Sequence, residues 1–204
     1  MISSLFRRLR RGAPIVVVSG LPRSGTSMAM KMLEAGGVPI VTDGIRTADE
    51  SNPKGYYEFE RVKELDKDGD TAWLGAARGK AVKIISFLLT YLPDGYDYRV
   101  VFMNRDIDEV LASQNKMLTA RGETAETADD EKMRDVYRKH LEKVARFLRN
   151  RSCFQTLQIN YRDVIDNPAA EARRLNEFLG GRLNVEAMSG VADRELYRNR
   201  RGQG

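Results

Sequence analysis

The segment Gly20-Leu21-Pro22-Arg23-Ser24-Gly25-Thr26-Ser27 sets two glycines around an arginine and ends in a run of hydroxyls. A loop of this kind lets backbone N–H groups converge on an anion, with the positive end of a following helix behind them. Nucleotide-hydrolysing loops place a lysine directly after the second glycine, and here Thr26 stands in that position. The charge that would bridge the β- and γ-phosphates of ATP is therefore missing. Arg23, the hydroxyls of Ser24, Thr26 and Ser27, and the helix dipole remain, a set suited to an anion with no γ-phosphate to reach.

Such a loop works only between a strand and a helix, and the flanking sequence supplies both. Ile15-Val16-Val17-Val18 is a short β-branched run of the type buried on both faces in a parallel sheet. Ser27 to Ala35 places Met28, Met32 and Ala35 on one helical face, and Gly36-Gly37 stops it before a further apolar run, Val38 to Val41, which reads as a strand and completes a strand, loop, helix, strand unit. Residues 42–56 read as an exposed loop rich in turn residues. The spacing then predicts a helix over Glu58 to Asp66, strands at Ala81–Ile85 and Arg99–Met103, and a helix over Asp106 to Leu118. A loop from Thr119 to Ala128 follows. Asp130 to Arg149 forms an amphipathic helix on Met133, Tyr137, Leu141, Val144 and Leu148; a strand at Phe154–Ile159 and a helix over Pro168 to Leu179 complete the pattern.

Strands alternating with helices predict an α/β fold, a three-layer sandwich around a mainly parallel sheet, in which ligands bind beyond the carboxyl ends of the strands. That rule singles out Gly20 to Ser27, the loop after Val41, Ser86, Asn104-Arg105 and Asn160-Tyr161-Arg162.

Leu21-Pro22-Arg23-Ser24-Gly25-Thr26-Ser27 resembles the 5′-phosphosulfate loop of sulfotransferases that use 3′-phosphoadenosine-5′-phosphosulfate (PAPS), in the Pro-Arg-Ser-Gly-Thr form of bacterial and tyrosylprotein-type members. The resemblance implies the P-loop NTPase-like sulfotransferase fold, a PAPS donor with adenosine 3′,5′-bisphosphate as product, and no metal. It implies cofactor contacts from Pro22, Arg23, Ser24, Gly25, Thr26 and Ser27. It also implies a 3′-phosphate site at Arg105 and Ser113, which have the family's spacing of an arginine ending a central strand and a serine eight residues later. Tyr161-Arg162-Asp163-Val164, Asn167-Pro168 and Phe178-Leu179-Gly180 are similar to a late structural segment of that family. Arg200-Arg201-Gly202 echoes the basic stretch that closes over the 3′-phosphate.

Sulfuryl transfer needs an in-line arrangement, a cation at the leaving oxygen and a base for the acceptor proton. Arg23 is the candidate cation. Cytosolic members use a histidine base, but His140 is the single histidine here and reads as structural, mid-helix and far in sequence from every strand end. Glu58 is the candidate base, because Asn52-Pro53-Lys54-Gly55-Tyr56-Tyr57-Glu58 resembles a bacterial Asn-Pro-x-Gly-aromatic-aromatic-Glu stretch, and its spacing with Val62 and Leu65 predicts a carboxylate on an apolar helix face. Lys83, in a strand resembling the family's lysine-bearing segment, is the candidate contact to the sulfuryl oxygens. The acceptor is a hydroxyl compound of unspecified class. A small kinase using ATP and Mg²⁺, and a non-catalytic nucleotide-binding protein of the same fold, are the alternatives.

Composition sets the outer bounds. The 204 residues are 42% hydrophobic, enough for one sizeable core. We expect a single domain over residues 14–197, preceded by a basic extension over 1–13 and followed by a basic tail over 198–204. Thirty-four Lys and Arg against 29 Asp and Glu give a net charge of +5, which suits an anionic small molecule and is too mild to require nucleic acid. Cys153 is alone, so neither an internal disulfide nor a cysteine-rich metal site is expected. Asp43, Asp49 and Glu50 read as a solvated acidic loop and not as a cation site. No apolar run reaches the length of a signal-peptide core or a membrane span, so a cytoplasmic protein is expected, its basic Leu5 to Arg10 segment allowing peripheral contact with anionic lipid.

Overall fold

The computed structural model describes residues 11–43, 57–67, 69–120, 122 and 130–191. Strand β1 (Ile15–Gly20) is buried along its whole length, as its unbroken β-branched run requires. It is flanked by β2 (Ala81–Lys83) and β3 (Tyr98–Asn104), with β4 (Phe154–Asn160) outside β3, and all neighbours pair in parallel. Val17 is level with Val82 on one side and Val100 on the other; Gly20 is level with Met103, and Asn104 with Asn160. The chemistry-bearing loops therefore leave one edge of the sheet side by side.

The two faces of the sheet carry separate cores, because side chains alternate along each strand. Val16, Val18, Ala81, Val101, Met103 and Ile159 face α1 (Thr26–Ala35), α5 (Tyr161–Asp166), α6 (Pro168–Leu179) and α7 (Val185–Ser189), packing on Met28, Met32, Leu33, Leu175 and Met188. Ile15, Val17, Val82, Val100 and Phe102 face the short helix α2 (Trp73–Ala76) and α4 (Asp130–Arg149), packing on Trp73, Leu74, Val144 and Leu148. Each fully buried aliphatic or aromatic side chain contributes about 1.5–3 kcal/mol, so the two-sided burial of β1 makes it the mechanical centre of the fold. Helix α3 (Ile107–Ala120) adds Val110 and Leu111 to a small cluster with Tyr137 and with Leu21 of the loop. The three-layer α/β arrangement is the one the alternation of elements predicts.

Local predictions fail in four places. Val38–Val41 forms no strand; only Ile40 bridges Ala81, since Pro39 has no N–H to give a ladder. The predicted helix over Glu58 to Asp66 reduces to a 3-10 turn at Glu60–Glu64, which leaves Glu58 outside it in non-helical chain. The strand at 81–85 stops at Lys83, and a 3-10 segment, Ser86–Tyr91, replaces its end. Met133, placed on the buried face of α4 by its spacing, is exposed. The basic extension through residue 10, residues 44–56 with Asp49, Glu50 and the Asn-Pro motif, most of 121–129, and the tail with Arg200-Arg201-Gly202 lie outside the described residues.

Candidate active site

The loop after β1 takes its shape from close approach. A Cβ on Gly20 would lie 2.6 Å from the carbonyl oxygen of Met103 and against Ser24 Oγ, so β1 and β3 pack here only with glycine. Gly25 caps α1 at φ 98°, and a Cβ there would collide with the ring of Tyr161. Between them Arg23 holds a left-handed backbone at φ 68°, a conformation costing a non-glycine residue about 1–2 kcal/mol. Two hydrogen bonds offset that cost. Arg23 Nε donates to Ser113 Oγ at 3.1 Å, and Arg105 Nη1 donates to the Arg23 carbonyl oxygen at 3.0 Å.

Arg105 organises the neighbouring strand end. Its Nε donates to Glu109 Oε2 at 3.0 Å, with both side chains under one-tenth exposed, and its guanidinium lies 4.5 Å over the ring of Tyr161. Tyr161 thus wedges between Gly25 and Arg105. The sequence points to Glu109 through a signal easily overlooked: Asp106 Oδ1 accepts from the N–H groups of Asp108 and Glu109, the Asp-x-x-Glu arrangement of a helix start. Asp106 is occupied as the cap and Asp108 pairs with Arg134 at 2.7 Å, which leaves Glu109 for Arg105.

A second group assembles beside α1. Lys83, the last residue of β2, has its Nζ 3.4 Å from Ser27 Oγ and 3.8 Å from Glu58 Oε1. The two charged side chains are 11% and 24% exposed, so their attraction is less screened than that of a surface pair. The helix face invoked for Glu58 does not exist, and its carboxylate is placed by chain contacts instead: its carbonyl oxygen accepts from Thr42 Oγ1 at 2.9 Å and from the Asp43 N–H at 3.3 Å. Lys83 and Glu58 thereby meet across a wide gap in sequence.

The helix dipole is unopposed, because the first turn of α1 holds no acidic residue. Ser24 Oγ is buried without a hydrogen-bond partner, and Thr26 and Ser113 are also buried. An orphaned hydroxyl inside a glycine loop at a helix N-terminus is the arrangement an oxyanion satisfies. Among the described residues no cluster of His, Cys, Asp and Glu could hold a metal ion, and no helix is long and apolar enough to cross a membrane.

His140 packs against the segment that follows β2. Far from every strand end in sequence, its Nε2 lies 2.9 Å from the oxygen of buried Ser86, the residue opening the 3-10 segment that follows β2 by two positions. The ring stacks on Phe87 at 3.8 Å and 9°. Burial first, and the Lys143 charge second, push the His140 pKa below its ordinary value, so folding favours the neutral ring. The unfolded chain takes up its proton near pH ~6.5, so stability is fully present above that value and declines as the pH falls below it. Denaturant midpoints measured from about pH 8 to about pH 5 should fall, and His140→Gln should remove part of the fall. An identical profile in the variant would refute this account.

A model described as "Sulfotransferase family" matches residues 62–184. That span holds Lys83, Arg105 and Ser113 and begins after the glycine loop and Glu58. No curated protein matches the chain. Its fold is shared by solved structures that include three bacterial proteins. The sulfotransferase domain of the Synechococcus PCC 7002 olefin synthase is 14% identical with a TM-score of 0.55, covering 94% of this chain and 82% of that one. Sulfotransferase STF1 from Mycobacterium tuberculosis H37Rv is 15% identical with a TM-score of 0.57, covering 93% and 73%. Sulfotransferase STF9 from Mycobacterium avium is 13% identical with a TM-score of 0.54, covering 98% and 72%.

Proposed function

Because the chain belongs to the sulfotransferase family, we propose that it transfers a sulfuryl group from PAPS to the hydroxyl of an acceptor. The observation that carries this reading is the convergence of two groups on one sheet edge: Arg23, Arg105 and Ser113 on one side of the loop, Lys83, Ser27 and Glu58 on the other. The donor supplies the sulfuryl group already activated on its 5′-phosphate. The loop from Pro22 to Ser27 holds that phosphate through N–H groups that follow Pro22, which itself has none to give, and Ser24 Oγ gains the partner it lacks. Arg105 and Ser113 hold the 3′-phosphate, which an arginine fork suits.

In the transfer the sulfur–oxygen bond to the 5′-phosphate breaks as a sulfur–oxygen bond to the acceptor forms. Arg23 stabilises the charge left on the phosphate, Lys83 faces the sulfuryl oxygens, and Glu58 takes the hydroxyl proton. Arg23 and Ser113, assigned to opposite ends of the donor, meet in one hydrogen bond. Ser113 Oγ accepts from Arg23 Nε and keeps its O–H proton for a phosphate oxygen, so one hydroxyl can tie Arg23 to the 3′-phosphate site.

Thermal shift separates this from the kinase alternative. Adenosine 3′,5′-bisphosphate at about 100 times its Kd should stabilise the protein by about 2.7 kcal/mol, with little effect from ATP and Mg²⁺. The reverse pattern would overturn the assignment of donor. Binding of the bisphosphate without transfer to any hydroxyl compound would favour a non-catalytic protein.

A further inference from the structure

Tyr57 precedes the candidate base and adopts a left-handed backbone, φ 51°, unusual for an aromatic residue. Such a conformation persists only where surrounding contacts over-determine it. The hydroxyl of Tyr57 donates to Glu34 Oε2 at 2.6 Å, a charge-assisted hydrogen bond, and its ring packs on the core beneath α1. Burial, with the Glu34 carboxylate second, keeps the phenol protonated and so keeps it a donor.

Glu34 lies in the last turn of α1, and Ser27 lies in the first. The same helix thus carries a member of the donor loop at one end and the anchor of the base-bearing segment at the other. On the far side of Glu58, Asp43 closes the hold: its N–H donates to the Glu58 carbonyl oxygen, and its Oδ2 accepts from the Glu60 N–H at 2.6 Å. Resting on the reading of Glu58 as base, we infer that Tyr57 and Glu34 are positioning residues, which dock the Glu58 segment on α1 and turn its carboxylate toward Lys83 and Ser27.

The test uses the whole chain and two readouts. Acylation of Lys83 by acetic anhydride, followed by mass spectrometry, reports whether Glu58 still faces the amine, since a carboxylate that holds the ammonium slows its attack on the reagent. Transfer from PAPS to p-nitrophenol reports turnover. Tyr57→Phe should raise the Lys83 acylation rate to that of Glu58→Gln and lower kcat about 10- to 100-fold, the scale of a small misplacement of a catalytic group. Affinity for adenosine 3′,5′-bisphosphate should stay unchanged, which shows that the fold is intact. Glu34→Gln keeps an oxygen that accepts the Tyr57 hydroxyl and should stay within about threefold of wild type, whereas Glu34→Leu should behave like Tyr57→Phe. Wild-type acylation in Tyr57→Phe would overturn the inference even if p-nitrophenol were a poor acceptor. If Glu58→Gln itself left acylation and turnover unchanged, the reading of Glu58 would fail and take the inference with it.

Discussion

Arg105→Ala is expected to weaken binding of adenosine 3′,5′-bisphosphate about 10- to 100-fold, the worth of one charged hydrogen bond at about 1.5–3 kcal/mol. Stability should fall as well, because Glu109 loses its guanidinium while 5% exposed. Breaking a buried pair from one side costs about 3–5 kcal/mol, more than the pair contributes over a neutral replacement. The double variant Arg105→Ala/Glu109→Ala therefore separates the two effects. It should recover much of the lost stability and none of the lost affinity, read by denaturant unfolding and by calorimetric titration. Unchanged affinity in Arg105→Ala would remove this residue from the donor site. A double variant no more stable than the single one would show that Glu109 does not need its partner. Arg105→Lys should fall between, since an ammonium keeps the charge and loses the fork that reaches the Arg23 carbonyl and Glu109 together.

Glu58→Gln keeps the shape of the side chain and removes its basicity. We expect kcat for transfer from PAPS to fall about 10²- to 10⁴-fold, the range of a lost general base, with bisphosphate affinity little changed. A variant retaining its turnover would assign the base elsewhere. Comparison with Lys83→Met tests the neighbour: if Lys83 serves only to pair with Glu58 at 3.8 Å, its loss should spare most of the rate, whereas loss of a contact to the sulfuryl oxygens should lower kcat.

The ease of reading different parts from sequence follows the range of the interactions that make them. β1 and β3 are local apolar runs and β4 a mixed one bounded by Phe154 and Ile159, and burial of β1 on both faces leaves no ambiguity of face, so the central sheet and the loop after it were legible. The region around Glu58 was not. Val62 and Leu65 sit at helical spacing, but an isolated segment of that length cannot sustain a helix, and Asp43 tethers its start through the Glu60 N–H. Trp73–Ala76 is too short to show periodicity. Arg23 with Ser113, Lys83 with Glu58 and His140 with Ser86 are contacts across tens of residues, which no spacing rule reports. Arg105 with Glu109 is a pair only four residues apart, but Asp106 and Asp108 lie nearer in sequence, and only their engagement as cap and as partner of Arg134 leaves Glu109 to it.

The parallel sheet order β2-β1-β3-β4 also governs when the donor loop can exist during synthesis. Parallel strands have no hairpins to nucleate them, and every pairing must close a long loop first. The loop residues leave the ribosome early, yet the carbonyl of Arg23 waits for a partner 82 residues later, its side chain for one 90 residues later, and Gly25 for the ring of Tyr161. A nascent chain halted before β4 would carry the whole glycine sequence with Arg105 and Ser113, but not the ring that closes on Gly25, because Tyr161 follows that strand directly.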